Sequence, residues 1–548
     1  MYIGEKDRTP LETIRLSTEY LQNRNIFFCE EWHNNGSSLF SVTLNIPGTA
    51  FTVNGKGINR ELALASAHGE LQERLLNKAF FRINTDTLYW MSNKDIASQS
   101  DLSILFSKIG LSCENSKMVQ LKYEEAFGKI QKIEDDIFTS SKGERLVIPP
   151  QVTDYLYGTN GMCAGNTFEE ACTQGLAEII ERYVAKQIFR KKMEIPNFDF
   201  ECLDDAEYFR RLINRMGKMG LNVCIKDFSL GLNLPVVGVI FSNPQNHTYF
   251  MKMGAHPNLN IALERCFTEF AQGRTTEQLK KMVSCEEMFV NEGDRLLKYF
   301  VDGNVAFPIS IIQNKGKSTI KSIKYLSNKE YYEYLLKCIE KLGFEVFFID
   351  NSSDIFQAYR IIVPGMSEIA DINEMPNVHS LCVVNKNIKC FFDNPNIKSE
   401  NIDQLAELLD EINGLNKDIG LTYPIISVKM YNKRLPKFKM FELINLEYLM
   451  IGDFYGSFNF LTNHINLCEV DETYLCLIVM EKMLIEDKID IKDKDFLMEA
   501  LVRLFDEKIC NTTYMILSKP NEIFEVECSI EDNYFFENRK ELFKKIYE

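Results

Sequence analysis

Residues 157–189 read YGTNGMCAGNTFEEACTQGLAEIIERYVAKQIF. A Gly/Asn-rich turn leads into a run that places Ala171, Leu176, Ile179, Ile180 and Val184 at helical spacing, which is the pattern of a turn opening a long amphipathic helix. Residues 51–80, FTVNGKGINRELALASAHGELQERLLNKAF, repeat that order, with VNGKG closing a strand and Leu62, Ala65, Leu71 and Leu75 on one side of a helix. A third cycle runs through LNVCIKDF, PVVGVIF and TYFMKMG and the loop AHPN into the helix IALERCFTEFAQGR. A fourth strand cluster reads FEVFFIDN, AYRIIVPG and HSLCVV.

Working outward, the chain opens with a helix over Thr9 to Gln22 and a meander of strands in NIFFCEEW, SLFSVTLNI and TAFTV, divided by the turn NNGSS. The segment LVIPPQV supplies a strand before the second turn. Strand clusters each followed by one long helix predict an α+β core of related units, not a parallel doubly wound sheet. After about Phe391 the sequence turns helical, in LAELLDEI, FKMFELINLEYLMIG, TYLCLIVMEKMLI and DFLMEALVRLFDEK, with strand character only in IISVKM and EIFEVEC. The expected division is a core over 1–395 and a helical, tetratricopeptide-like interaction domain over 396–548, without a clean 34-residue repeat.

Of the 548 residues, 45% are hydrophobic and 26% charged, which is ordinary globular usage and excludes wholesale disorder. Sixty-two Lys+Arg against 78 Asp+Glu give a net charge of −16, which opposes attraction to nucleic acid or an anionic membrane. The 15 cysteines form no CxxC pair and no zinc spacing, so they are expected to be reduced. Charged residues at Glu5 to Arg8 leave no secretory core, and no apolar run reaches the ~18 residues of a membrane span. A cytoplasmic protein is expected.

The chemistry resides in a repeated Glu-x-x-Glu-Arg, at Glu70, Glu73 and Arg74 and again at Glu178, Glu181 and Arg182. On a helix, positions i and i+3 share a face, so each copy presents two carboxylates together. Glu170, Gln174, Glu178 and Glu181 form one polar stripe on the second helix. An isolated ExxER is usually a solvated face with local ion pairs. Two copies, each after a Gly/Asn turn, point instead to converging carboxylates neutralised by Mg²⁺, next to helix N-termini that suit an anion. Together these features suggest a nucleotide with metal, although neither a P-loop nor a GxGxxG is present. Thr167 and Glu170 also fit a capping box. Arg265 and Glu269 are spaced for an intrahelical ion pair, with Arg265 alternatively a phosphate clamp. His68 lies off the Glu70 face, His256 is expected to hold its loop, and no di-iron Glu-x-x-His pairing occurs.

The words FTVNGKG, ALASAHGELQERL, VIPPQV, YGTNGMCAGNTFEEACTQGLAEIIERYV, GAHPNLNIALERCFTEFAQGR and RIIVPGMSEI resemble the YcaO family over about residues 1 to 395. The resemblance implies an ATP-dependent enzyme that phosphorylates a peptide amide oxygen and so permits azoline, macroamidine or thioamide formation. The order with a helical C-terminal part is closest to stand-alone members of the enterobacterial type, which are associated with methylthiolation of a small-subunit ribosomal protein. Carried onto matching positions, Glu70, Glu73, Glu178 and Glu181 would hold Mg²⁺. Asn166, Arg182 and Arg265 would contact phosphate, with Glu170 and Gln174 close by, while Lys6 and Thr13 would approach the nucleoside. Cys163 stands where the family usually has serine, which exchanges a hydroxyl for a weaker thiol donor at the phosphate. The ending RKELFKKIYE lacks the Pro-rich tail of azoline-forming members, so azoline synthesis is disfavoured.

The leading expectation is therefore ATP/Mg²⁺-dependent activation of a polypeptide amide, with a methylthiotransferase or ribosomal protein as partner and a homodimer compatible with the apolar surface. The rival is a non-catalytic nucleotide-binding scaffold that recruits those partners. A third reading is a peptide-modifying kinase of thioamide or amidine formation in a natural-product pathway.

Overall fold

In the computed structural model, residues 6–33, 39–49, 51–81, 102–112, 135–191, 195–245, 247–273, 307–314, 316–324, 327–370, 448–464, 472–521 and 541–547 are described, with a few isolated positions between them. They fall into two compact units, Met1–Pro376 with Glu541–Glu548, and Asn377–Lys540.

The first unit opens with helix α1 (Pro10–Gln22). Thr9 caps it reciprocally: its hydroxyl accepts from the Glu12 N–H at 3.3 Å and its own N–H donates to Glu12 Oε2 at 2.9 Å. Strands β1 (Cys29–His33), β2 (Phe40–Asn45) and β3 (Thr52–Gly57) form an antiparallel meander, and α2 (Arg60–Leu76) packs on it. The glycines of VNGKG lie inside β3, not beyond its end, and Gly55 explains why. A Cβ there would sit 2.1 Å from the Ala63 carbonyl oxygen and 2.6 Å from Ala67 Cβ, so glycine lets helix and strand touch. The buried side of α2 is Ala63, Ala67, His68, Leu71, Gln72 and Leu75; Leu62 and Ala65, expected in the apolar stripe, line a cavity instead.

Helix α3 (Leu102–Ile109) leads to β4 (Asp136–Ser140), β5 (Arg145–Ile148), α4 (Pro150–Tyr157), β6 (Met162–Gly165) and the 24-residue α5 (Phe168–Lys191). The helix α4, started by Pro150 at its first turn, was not expected from its proline pair. Helix α6 (Ala206–Lys218) precedes β7 (Asn222–Asp227), β8 (Val236–Asn243) and β9 (Thr248–Ala255), then α7 (Leu259–Ala271) and β10 (Val283–Ser284). These strands form an antiparallel sheet in the order β10-β9-β8-β7. After α8 (Asn328–Lys341), β11 (Phe347–Asp350) and β12 (Gln357–Ile362) do not build a fourth unit. They insert into the second sheet, whose order is β5-β4-β11-β12-β6. HSLCVV lies outside the described residues.

Helix α5 is the central element. Ile179, Ile180, Val184, Ile188 and Phe189 are fully or almost fully buried in the one cluster that also holds Val237, Met251, Phe267 and Ile361, so this helix packs on both larger sheets. A helix apolar over most of its circumference belongs in such an interior position. Antiparallel sheets with helices laid across them make an α+β fold, as the strand clusters predicted.

Residues 541–547 pack on the first unit. Phe81 meets Phe543 edge-on at 5.3 Å and Tyr547 at 6.1 Å, and the Tyr547 hydroxyl donates to the Leu75 carbonyl. The expected division at 395/396 falls outside the described residues, and it assigned this terminal segment to the helical part.

The second unit contains α9 (Phe454–His464), α10 (Glu472–Ile485), α11 (Lys494–Leu501) and α12 (Glu507–Ser518) among its described residues. They close around Leu461, Leu477, Met480, Leu501 and Leu517. The run DFLMEALVRLFDEK is broken by a turn before Asp506, which caps α12. LAELLDEI, IISVKM and EIFEVEC lie outside the described residues. No described helix is long and apolar enough to cross a membrane.

Candidate functional site

Helices α2, α5 and α7, strands β3 and β9 and the segment before α1 enclose one cavity of about 650 Å³. Eleven of the twelve positions expected at a nucleotide-metal site line it: Lys6, Thr13, Glu70, Glu73, Asn166, Glu170, Gln174, Glu178, Glu181, Arg182 and Arg265.

Cys163 does not line it. Strand alternation turns Ala164 toward the cavity and Cys163 into the core, where Sγ lies 3.5 Å from the Tyr359 carbonyl oxygen and against Gly175. The thiol therefore does not stand in for a phosphate-binding hydroxyl, and burial pushes its pKa well up.

One end of the cavity is built on Glu170. The Thr167 hydroxyl caps the Glu170 N–H at 3.2 Å, but the Glu170 carboxylate does not return to complete a capping box. It accepts from Lys6 Nζ at 3.2 Å, from the Asp7 N–H at 3.0 Å and from Asn166 Nδ2 at 3.0 Å. Burial works against this carboxylate, yet Lys6, the Asp7 N–H and Asn166 outweigh it and hold its pKa below the usual range. Thr13 donates to Asn166 Oδ1 at 3.3 Å, so the segment before α1 and α1 itself are fastened to the start of α5.

The two ExxER motifs form the middle. Arg74 pairs with Glu70 at 3.6 Å and Glu73 at 3.4 Å, and Arg182 with Glu178 at 3.0 Å. The local ion pairs expected of an isolated ExxER are thus present, on a cavity wall and not on a solvated face. Burial, with Glu178 and Glu70 adding to it against Arg74, raises Glu73 to about 8. Burial likewise raises Glu181 to about 7, with Arg265 opposing and Glu269 and Glu178 reinforcing. Among the described residues no three acidic, histidine or cysteine side chains converge tightly enough to hold an ion as they stand.

The far end is basic. Glu269 pairs with Lys56, not with Arg265 as the intrahelical spacing suggested, and Lys56 Nζ also donates to Gln272 Oε1 at 3.1 Å. Burial would raise Glu269, but Lys56, Lys252 and Arg265 overcome it and hold it near 2. His256 is neutral: burial, helped by Arg265, lowers it to about 3, and its Nδ1 accepts the Asn258 N–H at 3.0 Å. That bond holds the loop, as expected for it. His68 is buried beneath α1, with Nδ1 2.9 Å from Ser17 Oγ.

Lys56, Lys252 and Gln272 were missed from sequence, and Glu269 was read only as an intrahelical partner of Arg265. Period-two alternation in β3 does place Asn54 and Lys56 on one face, so the signal existed, but nothing in sequence says that this face meets α7.

The donor set decides what the cavity can take. Carboxylates raised to about 8 and 7 by burial, with neighbouring glutamates adding to it, are relieved by hard cations, while Arg74 Nη1, 3.4 Å from Glu73 but outside hydrogen-bond geometry, keeps a buried donor for an anionic ligand. Oxygen ligands with guanidinium groups beside them fit Mg²⁺ and a phosphorylated ligand.

An α+β fold with such a carboxylate-and-arginine cavity defines a nucleotide- and metal-binding class of protein. The profile described as "YcaO cyclodehydratase, ATP-ad Mg2+-binding" matches residues 54–367, and the chain belongs to the YcaO family. An uncharacterized protein of Haemophilus influenzae is 29% identical over 67% of this chain and 65% of its own length. The ribosomal protein S12 methylthiotransferase accessory factor YcaO of Escherichia coli is 28% identical over 62% of this chain. The match covers 61% of that relative, so the chain spans less than two thirds of either one. Among solved structures, a heterocyclase in complex with substrate and cofactor aligns over 66% of this chain and 53% of its own, with 16% identity and a TM-score of 0.47. YcaO from Methanopyrus kandleri bound with AMPPCP and Mg²⁺ aligns over 66% and 93%, with 18% identity and a TM-score of 0.45.

Proposed function

We propose that this chain uses ATP and Mg²⁺ to phosphorylate a polypeptide amide oxygen, within the modification of a peptide or ribosomal protein. The observation that carries this reading is the convergence of Glu70, Glu73, Glu178 and Glu181, from two separate helices, on a cavity that also holds Arg182 and Arg265. In the proposed reaction the amide oxygen attacks the terminal phosphorus, the bond to the bridging oxygen breaks, and ADP leaves with that electron pair. The amide carbon is then open to a nucleophile, with phosphate as leaving group. Mg²⁺ held by the four glutamates would supply charge neutralisation along the triphosphate. The chain's own part is electrostatic and positional. Arg182 and Arg265 offer fixed guanidinium donors, Asn166 and the start of α5 offer neutral ones, and Glu170 keeps Lys6 at the cavity edge. The family and the accessory-factor name of the Escherichia coli relative support the role in protein modification.

Thermal unfolding with and without MgATP tests the site. A ligand at a hundred times its Kd adds about 2.7 kcal/mol to the native state. A rise of a few degrees in wild type is expected, lost with EDTA and in Glu178→Gln. No rise at saturating MgATP would refute the nucleotide site; a rise without ATP turnover in the presence of candidate polypeptides would leave a nucleotide-binding scaffold.

A further inference from the structure

The cavity has a direction. Glu170, in the first turn of α5, meets Lys6 and Asn166; Glu181, about 16 Å further along the helix at 1.5 Å per residue, faces Arg265 and Glu269. Beyond Glu181 the wall changes sign. Lys56 from β3 and Lys252 from β9 stand with Arg265 around the carboxylate of Glu269, and Glu264 lines the same wall. With Glu181 counted among the glutamates that would hold metal, three cations face Glu269 and Glu264 and leave that end net positive by one, and no position there carries an assigned role except Arg265.

Lys56 is not a loose surface lysine. Glu269 and Gln272 both accept from its ammonium, and Gln272 Nε2 is itself anchored at 2.6 Å on the Asn54 carbonyl of the same strand. The side chain is only about a fifth exposed. A lysine held this way, on the wall of a polar cavity, is preorganised for an anionic ligand.

We infer that Lys56 and Lys252 bind the terminal phosphoryl group of the nucleoside triphosphate, with Glu269 the positioning residue that aims Lys56. This rests on the nucleotide reading of the cavity and assigns which end of the phosphate chain lies where. The nucleoside lies toward Lys6 and Thr13, the phosphates pass Asn166 and the glutamates, and the last one reaches the lysines. Glu70, Glu73, Glu178 and Glu181 would hold the metal ions and supply charge neutralisation from their wall, and the two ammonium groups would neutralise the same phosphoryl group from theirs.

The test is calorimetric titration of the whole chain with MgATP and with MgADP, for wild type, Lys56→Met, Lys56→Arg, Lys252→Met and Glu269→Gln. Wild type is expected to prefer MgATP. Each methionine variant should weaken MgATP by roughly ten- to a hundredfold while leaving MgADP within about threefold. Lys56→Arg should recover most of the preference, and Glu269→Gln should lower it in part. If both nucleotides weaken together in the lysine variants, or if the preference survives in both, the assignment is overturned and the lysines serve only to hold Glu269. Wild type that binds neither nucleotide would overturn the cavity reading, and this inference with it. Unfolding midpoints of the variants separate lost binding from lost folding, and Lys252→Met answers the question if Lys56→Met does not fold.

Discussion

Glu481 shows how far a single residue's surroundings can depart from what its type suggests. It is fully buried in the second unit, beside Ser457, whose hydroxyl donates to it, and Asn445. Burial outweighs the Ser457 bond and raises its pKa to about 8. The native state therefore keeps a proton that the unfolded chain loses near the ordinary glutamate value. Its contribution to stability is complete below that value and disappears as pH rises through about 8. Unfolding of wild type and Glu481→Gln at several pH values should show the variant gaining on wild type by up to about 1.4 kcal/mol per pH unit between pH 5 and 8. Glu73 and Glu181 share the sign of the effect but are common to both proteins, so they cancel in the difference. An unchanged difference across that range would show that Glu481 ionises normally. At this scale the acidic site residues were legible, because ExxER repeats and its spacing fixes a helix face. Cys163 was misplaced because turn sequences do not say which side of a short strand meets a cavity. Lys56 was overlooked because its partner, Glu269, lies more than two hundred residues away.

At the scale of elements, each of the three strand–helix crossings beside the cavity is made by a glycine. A Cβ at Gly55 would lie 2.1 Å from the Ala63 carbonyl oxygen, one at Gly254 2.1 Å from that of Ala262, and one at Gly165 2.7 Å from the Ala171 nitrogen. At Gly55 and Gly254 the alanine follows the glycine by eight residues, and Glu70 and Glu269 follow by fifteen. The cycles seen in sequence are thus repeats of a packing device as well as of strand and helix. The backbone atom cannot yield as a flexible side chain would, so Gly254→Ala must lift α7 from β9. It should destabilise the chain by about 1–3 kcal/mol and weaken MgATP through Arg265 and Glu269. Chemical denaturation and calorimetry on the same sample would check this, and wild-type behaviour in both would show that the crossing has room. The insertion of β11 and β12 between β4 and β6 had no such signature. Strand partners distant in sequence are chosen by the whole sheet, while local alternation only says that a strand exists.

For the whole molecule, the notable fact is connectivity: the second unit is written into the first, between residue 376 and residue 541. Phe543 and Tyr547 then fill the space beside Phe81, which in turn stacks edge-on with Phe51 at 5.5 Å. Phe543→Ala should cost about 3–5 kcal/mol and lower the midpoint of the first unit, while Leu501→Ala should act on the second. Separate transitions in calorimetric unfolding would report each, and an unaltered first transition in Phe543→Ala would mean that the terminal segment is not part of that core. Composition showed that the chain has a helical later part, but not that its last residues belong elsewhere, because eight residues carry too little pattern to reveal a tertiary partner.

That nesting has a consequence for how the protein is made. The aromatic plug for Phe81 is translated only after the entire second unit, which at ~5–20 residues per second means a wait of roughly ten to thirty seconds. During that interval the nascent first unit has every wall of its cavity but lacks the piece that seals its core. It is then exposed to chaperones and proteases, and a slowly folding second unit would lengthen the exposure of its neighbour without touching a single residue of it.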